Sequence, residues 1–454
     1  MNLLLVCEEA GINQNTFKFL MKLSRFNIIS AIKDSDKYFV VNLLSQNADI
    51  LSKEEWKLLN SEDGLMRQEF IEAGYVVDLV EEEKMYKKKY LDFIDTRSTD
   101  EVQIFYVPGY VCNFSCSYCY QDEYINTQSN FSEEVLGAFF GYVKAQFLGR
   151  KKYITIFGGE PLLPSGQHKK QIASLLNRAK DAGLDVAIVT NGFHLTEYIP
   201  ILKEAHIREI QVTLDGTESV HDSRRKHKSG QSTFAKIVEG IDGCIREKIP
   251  VNLRMVLDKE NISNLPEFAR FAIEKEWTKS AYFKTQLGRN YELHHCQSQA
   301  SRLFSRLEMY ESIYQMLKEY PFVAEFHKPA FSVAKFLFQE GILPDPLFDS
   351  CPGTKTEWAF DYRGKIYSCT ATVGKPGEEL GSFYPEVKLN EDAVAEWSDR
   401  DVLSIEKCRS CELQLACGGG CASVAKNNHG SVNTPDCRPV RELLELGIAH
   451  YFTK

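Results

Sequence analysis

Ten of the thirteen cysteines fall into two spaced groups, and such spacing is typical of metal sites. The first group, Cys112, Cys116 and Cys119, stands on one short segment directly after an apolar run. Three thiolates at this spacing can hold three irons of a cubane cluster, which has four irons to ligate. The fourth iron is then open to a chelating small molecule. A structural zinc site is the alternative, although zinc prefers four protein ligands and no further cysteine or histidine lies nearby in the sequence.

The second group contains seven cysteines near the end of the chain: Cys351, Cys369, Cys408, Cys411, Cys417, Cys421 and Cys437. One zinc site would leave three of them over, since zinc binds four ligands. Two iron–sulfur clusters fit the number better, provided that one cluster has an incomplete set of protein ligands. The remaining cysteines, Cys7, Cys244 and Cys296, stand apart and are expected to be small buried hydrophobic residues.

The composition is that of a globular protein, and 454 residues suggest about three domains. A net charge of −9 does not favour binding to nucleic acid or to an anionic membrane. The N-terminal apolar run is too short for a signal peptide and is expected to be a buried strand. No apolar segment is long enough to span a bilayer. We therefore expect a cytoplasmic protein, in which thiols stay reduced.

Residues 1–95 are expected to form a first domain with a linker. Two strands are predicted around a charged turn, and a helix follows Ser52 because Glu55, three residues on, completes a capping box. A second helix over 66–73 leads into an apolar strand over 75–80. These elements indicate a small winged-helix-like domain, and the charged stretch after it predicts a helical linker.

Residues 96–300 alternate between apolar, β-rich runs and amphipathic stretches of helix length. Such alternation is typical of parallel βα units, and six units rather than eight predict a partial (β/α)6 barrel in an α/β fold. The strands are predicted over 102–107, 153–157, 185–189, 209–214, 251–257 and 281–286. The helices between them are predicted over 132–147, 167–182, 233–247 and 265–274.

Two further regions complete the predicted architecture. Residues 301–344 are expected to be bridging helices. Residues 345–454 are rich in cysteine and glycine. We expect this iron–sulfur domain to bury little apolar surface and to depend on metal for its stability. A last helix is predicted over 438–451.

Polar and glycine-rich motifs follow four successive predicted strands. The cysteine triplet comes after the first strand, and the next three strands end in Gly158-Gly159-Glu160-Pro161, Thr190-Asn191-Gly192 and Leu214-Asp215-Gly216. Reactive groups gather at the carboxyl ends of the strands in parallel barrels. These motifs are therefore expected to converge on one cavity.

The spacing C-x3-C-x2-C, with an aromatic residue before the last cysteine and GGEP on the next strand end, resembles the radical S-adenosylmethionine (SAM) superfamily over about residues 101–290. The resemblance implies a [4Fe–4S] cluster on the three cysteines, whose open iron chelates SAM and whose electron breaks the S–C5′ bond. It also implies SAM-binding residues: Tyr118 by the adenine, Gly158, Gly159 and Glu160 at the methionine amino group, Thr213 and Arg225 at its carboxylate, and Asn191 and Arg254 elsewhere in the cavity. A surface or salt-bridged position is the alternative for each arginine.

All seven late cysteines, together with Gly364, resemble a SPASM domain, whose two auxiliary [4Fe–4S] clusters would bring the total to three. The resemblance assigns Cys408, Cys411, Cys417 and Cys437 to an outer cluster and Cys351, Cys369 and Cys421 to an inner one. Some members supply another cysteine soon after the first, but residues 352–368 contain none. Either Cys296 completes the inner cluster, or one iron stays open and could bind a substrate thiolate.

SPASM enzymes mostly modify peptides or proteins, which implies an oxidoreductase acting on a peptide. The favoured hypothesis is a maturase of a ribosomally made precursor peptide that forms an intramolecular crosslink, above all a cysteine thioether. A carbon–carbon peptide cyclase and an anaerobic sulfatase-maturing, formylglycine-forming enzyme are the alternatives within the class. A non-catalytic iron–sulfur electron carrier is the alternative outside it.

The implied partners are the precursor peptide, bound through its leader by the N-terminal domain, and a low-potential electron donor such as a flavodoxin or ferredoxin. An open strand edge of a winged domain can capture an extended peptide as an added strand. Dimerisation or plain packing is the alternative role of that domain. No residue is identified as the catalytic base: Asp361 is a candidate, but an aspartate beside a turn is usually structural.

Overall fold

The computed structural model describes residues 21–121, 132–289 and 302–453. Cys7, Cys296 and the predicted N-terminal strand lie outside these ranges. Within the ranges, no helix combines the length and the apolar character that are needed to cross a membrane.

The N-terminal part contains two small antiparallel sheets and two short helices. Its strands and helices are β1 Met21–Leu23, β2 Asn27–Ala31, β3 Tyr38–Asn42, β4 Asn47–Leu51, α1 Lys53–Leu59, α2 Gln68–Glu72 and β5 Val76–Asp78. One sheet has the order β2-β3-β4, and the other pairs β1 with β5. The predicted capping box of α1 is present, since Ser52 and Glu55 each accept a hydrogen bond from the backbone N–H of the other. The second predicted helix is shorter than expected, because its first turn is a separate 3₁₀ turn.

The charged segment after β5 forms the long helix α3, Leu79–Thr99, with Asp78 as its N-cap. This helix is more than a linker, because it packs against the C-terminal part of the chain. Tyr86 is buried and donates a hydrogen bond to the side chain of Gln414 at 2.7 Å. The helix therefore joins the first and the last parts of the chain.

The central part alternates strands and helices. The strands are β6 Val102–Val107, β7 Phe114–Cys116, β8 Lys152–Ile156, β9 Val186–Thr190, β10 Ile207–Thr213, β11 Arg225–His227, β12 Val251–Leu257 and β13 Phe283–Arg289. The helices are α4 Glu133–Gln146, α5 Gly166–Asp181, α6 Leu195–Leu202, α7 Glu218–Arg224, α8 Phe234–Arg246 and α9 Leu265–Glu274. Six strands pair in parallel in the order β6-β8-β9-β10-β12-β13, as a partial barrel requires. Strands β7 and β11 form a separate antiparallel ribbon.

The predicted strand and helix positions agree with this structure to within a few residues, and two strands, β6 and β12, agree to the residue. The reason is that strands buried on both faces read as continuous apolar runs. In β12, for example, every residue except Arg254 is buried. The short elements β7, α6, α7 and β11 were not among the predictions.

The C-terminal part begins with three separate helices, α10 Arg306–Glu319, α11 Val323–Phe326 and α12 Ala334–Glu340. Four strands follow: β14 Glu357–Asp361, β15 Lys365–Tyr367, β16 Glu379–Ser382 and β17 Lys388–Leu389. The remaining helices are α13 Glu391–Ser398, α14 Glu406–Arg409, α15 Gln414–Cys417, α16 Ala422–His429 and α17 Val440–Phe452.

The cysteine-rich region continues the barrel sheet. Strand β14 pairs in parallel with β6 and is followed by β15, β16 and β17, so that the sheet has ten strands in the described residues. Phe360 and Phe383 are buried against Phe139 of α4, with ring centroids 5.4 and 6.0 Å from that ring. The expectation that this region buries little apolar surface was therefore wrong. The region builds its core on the edge of the barrel, a long-range contact that its own composition does not reveal.

The two outer strands of the N-terminal sheet have different neighbours. Strand β2 lies beside α17, where the Lys33 N–H donates to the Glu445 carbonyl oxygen at 3.4 Å. Strand β4 pairs only with β3 among the described residues, and its Ile50 is 41% exposed. The open edge of this sheet is thus β4.

Candidate functional site

A cavity of about 400 Å³ lies within the barrel and reaches the carboxyl ends of its strands. All but one of the predicted SAM-binding and first-group residues line it: Cys112, Cys116, Tyr118, Cys119, Gly158, Gly159, Asn191, Thr213, Arg225 and Arg254. The exception is Glu160. Three of the four strand-end motifs thus reach one cavity, as expected, whereas Leu214-Asp215-Gly216 does not line it.

The three cysteines of the first group form one cluster of thiols beside this cavity. Burial raises the pKa of Cys112 to about 12, and Glu160 and then Cys116 and Cys119 act in the same direction. The Phe114 N–H opposes this by donating to the Cys112 sulfur at 3.4 Å. Three crowded, mutually repelling thiolates need a strongly cationic ligand, and the irons of a cubane cluster supply it.

The ribbon of β7 and β11 brings Arg225 to the cavity. Arg225 is paired directly with Cys116 across the ribbon, although more than a hundred residues separate them in sequence. Its guanidinium is buried and donates to the Tyr118 hydroxyl at 2.8 Å. A cation at this position can bind a carboxylate beside the cysteines, which fits the role that the SAM resemblance implies.

The neighbouring Arg224 has a different environment. It is buried between two fully buried carboxylates, with nitrogen–oxygen distances of 3.3 Å to Asp215 and 2.8 Å to Asp258. Asp215 also accepts a hydrogen bond from the Val256 N–H. Asp215 therefore holds the end of the fourth barrel strand in place, and it does not line the cavity.

Two glycines after β8 approach the cysteine loop closely. Gly158 and Gly159 have φ angles of +96° and +50°, which other residues rarely adopt. A Cβ on Gly159 would lie 2.4 Å from the carbonyl oxygen of Val111, just before Cys112. Only glycine fits here, because the backbone of this turn runs directly against the loop that carries the cysteines.

Glu160 lies behind the cavity wall and is almost fully buried. Its carboxylate accepts hydrogen bonds from the Thr190 hydroxyl (2.6 Å) and from the N–H groups of Asn191 (2.6 Å) and Leu162 (2.7 Å). Burial raises its pKa, and these donors partly offset the effect. Glu160 thus ties the ends of β8 and β9 together, while contact with a methionine amino group remains a prediction.

Thr213 and Arg254 stand side by side on the far wall of the cavity. They are register partners in the parallel pair of β10 and β12. Arg254 passes over Gly288 of β13, where an added Cβ would lie 3.0 Å from the guanidinium Nε. The absence of a side chain at Gly288 leaves room for the arginine inside the barrel.

Several residues that line the cavity were not among the candidates, and three of them, Tyr120, Gln121 and Thr370, are polar residues close in sequence to the cysteines. Tyr120 directly follows the last cysteine, and its hydroxyl donates to the carbonyl oxygen of Thr370 at 3.2 Å. Gln121 accepts a hydrogen bond from the Gly159 N–H at 2.8 Å. In the sequence, the only indication of their role was that Tyr120 directly follows Cys119 and Thr370 directly follows Cys369. Thr370 connects the cavity with the second cysteine group, because it lies next to Cys369.

The electrostatic neighbours of Cys408 and of Cys369 agree with the two expected sets, while the role of these cysteines as cluster ligands stays a prediction. Burial raises the pKa of Cys408 to about 11, and Cys417, Cys411 and Cys437 add to this. Burial, Glu357, Cys351 and Cys421 likewise raise the pKa of Cys369. The first set reaches the surface at the exposed Cys437, whereas Cys351 of the second is buried. We call Cys408, Cys411, Cys417 and Cys437 the outer set, and Cys351, Cys369 and Cys421 the inner set.

No three His, Cys, Asp or Glu side chains among the described residues lie close enough together to bind a single metal ion. The cysteines of a cubane each bind a different iron and stand farther apart than the ligands of one ion. The thiol donors, their number and their grouping fit iron–sulfur clusters at all three places.

The contacts of Asp361 are those of a residue that stabilises the local structure. It is fully buried and accepts hydrogen bonds from the hydroxyls of Tyr110 (3.0 Å) and Tyr367 (3.3 Å), and from the N–H groups of Arg363 and Lys365. Burial raises its pKa. All these donors hold the turn after β14 against the loop before Cys112.

Comparison with known proteins identifies the barrel. Residues 106–272 match the model of the Radical SAM superfamily. The barrel of this chain is a Radical SAM superfamily domain. A serine-type anaerobic sulfatase-maturating enzyme of Bacteroides thetaiotaomicron is 25% identical over 76% of the chain and 86% of its own length. A probable GTP 3′,8-cyclase of Sulfurisphaera tokodaii is 31% identical, but over 36% of the chain and 50% of its own length.

Two solved structures share the fold of this radical SAM enzyme. Native anSMEcpe with bound AdoMet has a TM-score of 0.60 at 17% identity and covers 77% of the chain and 98% of its own. Streptococcus suis SuiB bound to S-adenosylmethionine has a TM-score of 0.51 at 16% identity and covers 92% of the chain and 99% of its own. The SuiB likeness therefore extends over more of the chain.

Proposed function

We propose that this enzyme matures a ribosomally made precursor peptide by forming an intramolecular crosslink, with a cysteine thioether as the favoured product. The observation that carries the proposal is the open edge strand β4 in the N-terminal part of the chain. A solved structure of SuiB holds its precursor peptide SuiA, and that structure covers 92% of the chain at a TM-score of 0.52. Such likeness over nearly the whole chain supports a peptide substrate.

The leader of the peptide would add to β4 as a further strand. Main-chain hydrogen bonds along an open edge give affinity, and side chains on the exposed face give specificity. Ile50 is exposed on β4, and Trp56 of α1 stacks on Tyr38 of the neighbouring strand, with ring centroids 4.4 Å apart. The edge thus offers both unpaired backbone groups and an apolar surface.

The reaction uses three [4Fe–4S] clusters in this proposal, one on Cys112, Cys116 and Cys119 and one on each set of the second group. When bound, the first cluster supplies the electron that cleaves SAM. The chain's own residues would orient the cofactor: Thr213 and Arg225 bind its carboxylate, and the glycine turn admits its methionine end.

Thioether formation is an oxidation of the peptide by two electrons. A carbon–hydrogen bond and a sulfur–hydrogen bond break and a carbon–sulfur bond forms. The carbon-bound hydrogen atom ends on 5′-deoxyadenosine, and the thiol proton is released to solvent or a nearby base. The remaining electron passes to an auxiliary cluster, and Thr370, which lines the cavity and directly follows Cys369, connects the two places along the chain.

Formylglycine formation is the second candidate function. The Bacteroides thetaiotaomicron relative is named a sulfatase-maturating enzyme and matches 86% of its length to this chain. A carbon–carbon peptide cyclase would use the same SAM site and the same clusters. An electron carrier without catalysis would not need a cavity of about 400 Å³ beside the cysteines of the first group.

The test uses the anaerobically reconstituted full chain with dithionite and SAM. About twelve irons per chain and release of 5′-deoxyadenosine are expected. A thioether removes a free thiol and links two peptide fragments, whereas formylglycine reacts with a hydrazide. Ile50→Asp is expected to raise the KM for a precursor with its leader, and Leu148→Asp, at a site 79% exposed elsewhere, is the matched control. Formylglycine on a sulfatase peptide, with no change in Ile50→Asp, would contradict the favoured function.

A further inference from the structure

The inner set offers three thiols to a cluster of four irons. Glu357, the first residue of β14, lies beside the cysteines of this set. Its N–H donates to the Pro352 carbonyl oxygen at 2.9 Å, and its own carbonyl accepts from the Thr354 N–H at 2.9 Å. The backbone of Glu357 is therefore folded against the segment that begins at Cys351.

The side chain of Glu357 points to the other cysteine of the set. Its Oε1 accepts a hydrogen bond at 3.1 Å from the N–H of Thr370, the residue directly after Cys369. Among charged groups, Glu357 has the largest electrostatic effect on the Cys369 thiol, ahead of Cys351 and Cys421. The hydrogen bond to Thr370 thus places this carboxylate beside Cys369.

Glu357 has no cationic partner among the described residues. Two other carboxylates lie beside the inner set. Asp349 is paired with the Lys355 ammonium and lies 3.4 Å from Arg97 and 3.6 Å from Arg400, and Asp436 accepts a hydrogen bond from the Cys421 N–H at 3.1 Å. Glu357 is partly buried, and a carboxylate in such a position is stabilised in its ionised form by a positive partner. An iron of the inner cluster would be that partner.

Resting on the proposed auxiliary clusters, we propose that Glu357 is the fourth protein ligand of the inner cluster. Carboxylates bind iron but are harder ligands than thiolates. A cysteine of the peptide can therefore replace Glu357 at this iron, with the thiol proton passing to the released carboxylate. The inner cluster is closed in the free enzyme and accessible to a substrate thiolate.

The experiment isolates the auxiliary clusters by replacing Cys112, Cys116 and Cys119 with alanine in the full chain. Glu357→Ala is compared with Glu357→Cys and with Glu379→Gln, a carboxylate control on β16. The probe is ¹³C-cyanide, whose carbon couples magnetically to an iron only when it binds directly. Iron content, Mössbauer spectra and cluster potentials are measured in parallel.

We expect cyanide coupling in Glu357→Ala and its absence in Glu357→Cys and Glu379→Gln. Glu357→Cys should also lower the potential of the inner cluster, since thiolates donate more charge than a carboxylate. Equal cyanide coupling in all four proteins, or unchanged Mössbauer parameters in both Glu357 variants, would overturn the ligand assignment alone. A Cys351→Ala variant that keeps all of its iron would instead show that no inner cluster exists and would refute the proposed function.

Discussion

Arg225 faces Cys116 across the two-stranded ribbon and donates a hydrogen bond to the Tyr118 hydroxyl at 2.8 Å. The ribbon joins the cysteine loop after the first barrel strand to the segment after the fourth. This pairing brings Arg225, a charged residue in a polar stretch of the sequence, to a buried position in the wall of the cavity.

Replacing Arg225 by methionine is expected to weaken SAM binding about tenfold or more, which corresponds to about 1.4 kcal/mol. The physical reason is the loss of a charge-assisted hydrogen bond to the carboxylate of SAM. The SAM-induced change in the electron paramagnetic resonance spectrum of the reduced protein gives the affinity. Lys226→Met, an exposed position on the same strand, is the control and should bind SAM normally. Equal affinities of the two variants would argue against this role.

Arg224→Met is expected to reduce the free energy of unfolding by about 3–5 kcal/mol, because it removes the nearest cation from the buried carboxylates of Asp215 and Asp258, of which Asp258 keeps only the more distant Arg302 at 3.7 Å. Denaturant unfolding of the cluster-loaded protein measures the loss. The matched control is Arg178→Met, which breaks an exposed pair with Glu133 and should cost less than about 1 kcal/mol. Similar losses in both variants would mean that the buried pair is not structural.

Gly159→Ala is expected to displace the cysteine loop, since the new Cβ would collide with the Val111 carbonyl oxygen. The predicted result is loss of iron from the first cluster and of SAM binding. Gly183→Ala is the control: its φ of +67° imposes similar backbone strain, but nothing lies within 4 Å of the added Cβ. Normal SAM binding in Gly159→Ala would show that the close approach of the two segments is dispensable.

His221 makes stability depend on pH. It is fully buried, and burial together with the charge of Arg225 lowers its pKa to about 3. Between pH 7 and 5 the unfolded chain takes up a proton at this histidine, near its usual pKa of about 6.5, and the folded protein does not. The free energy of unfolding should therefore fall by about 2 kcal/mol over this range.

The check is His221→Asn, which does not titrate and can keep an acceptor for the Asp215 N–H, now bound by His221 at 3.2 Å. Urea unfolding at pH 7 and pH 5 should show a pH dependence smaller by that amount in the variant. The same pH dependence in both proteins would mean that His221 does not control acid stability.

The sequence alone determined the barrel strands, the helices between them and the grouping of the cysteines. Strands β6 and β12 could be placed to the residue because a strand buried on both faces is a continuous apolar run. Three of the four strand-end motifs could be placed in one cavity because the carboxyl ends of parallel strands share one edge. These are local patterns, or follow from topology without side-chain detail.

Only the tertiary structure decided which side chains meet across long sequence separations. The pairing of β14 with β6 gave the cysteine-rich region a core, and the ribbon of β7 and β11 distinguished Arg225 in the cavity from Arg224 in a buried ion pair. It also placed Glu160 behind the cavity wall and Glu357 beside Cys369. Such contacts depend on how whole elements pack, and no periodicity in the chain encodes them.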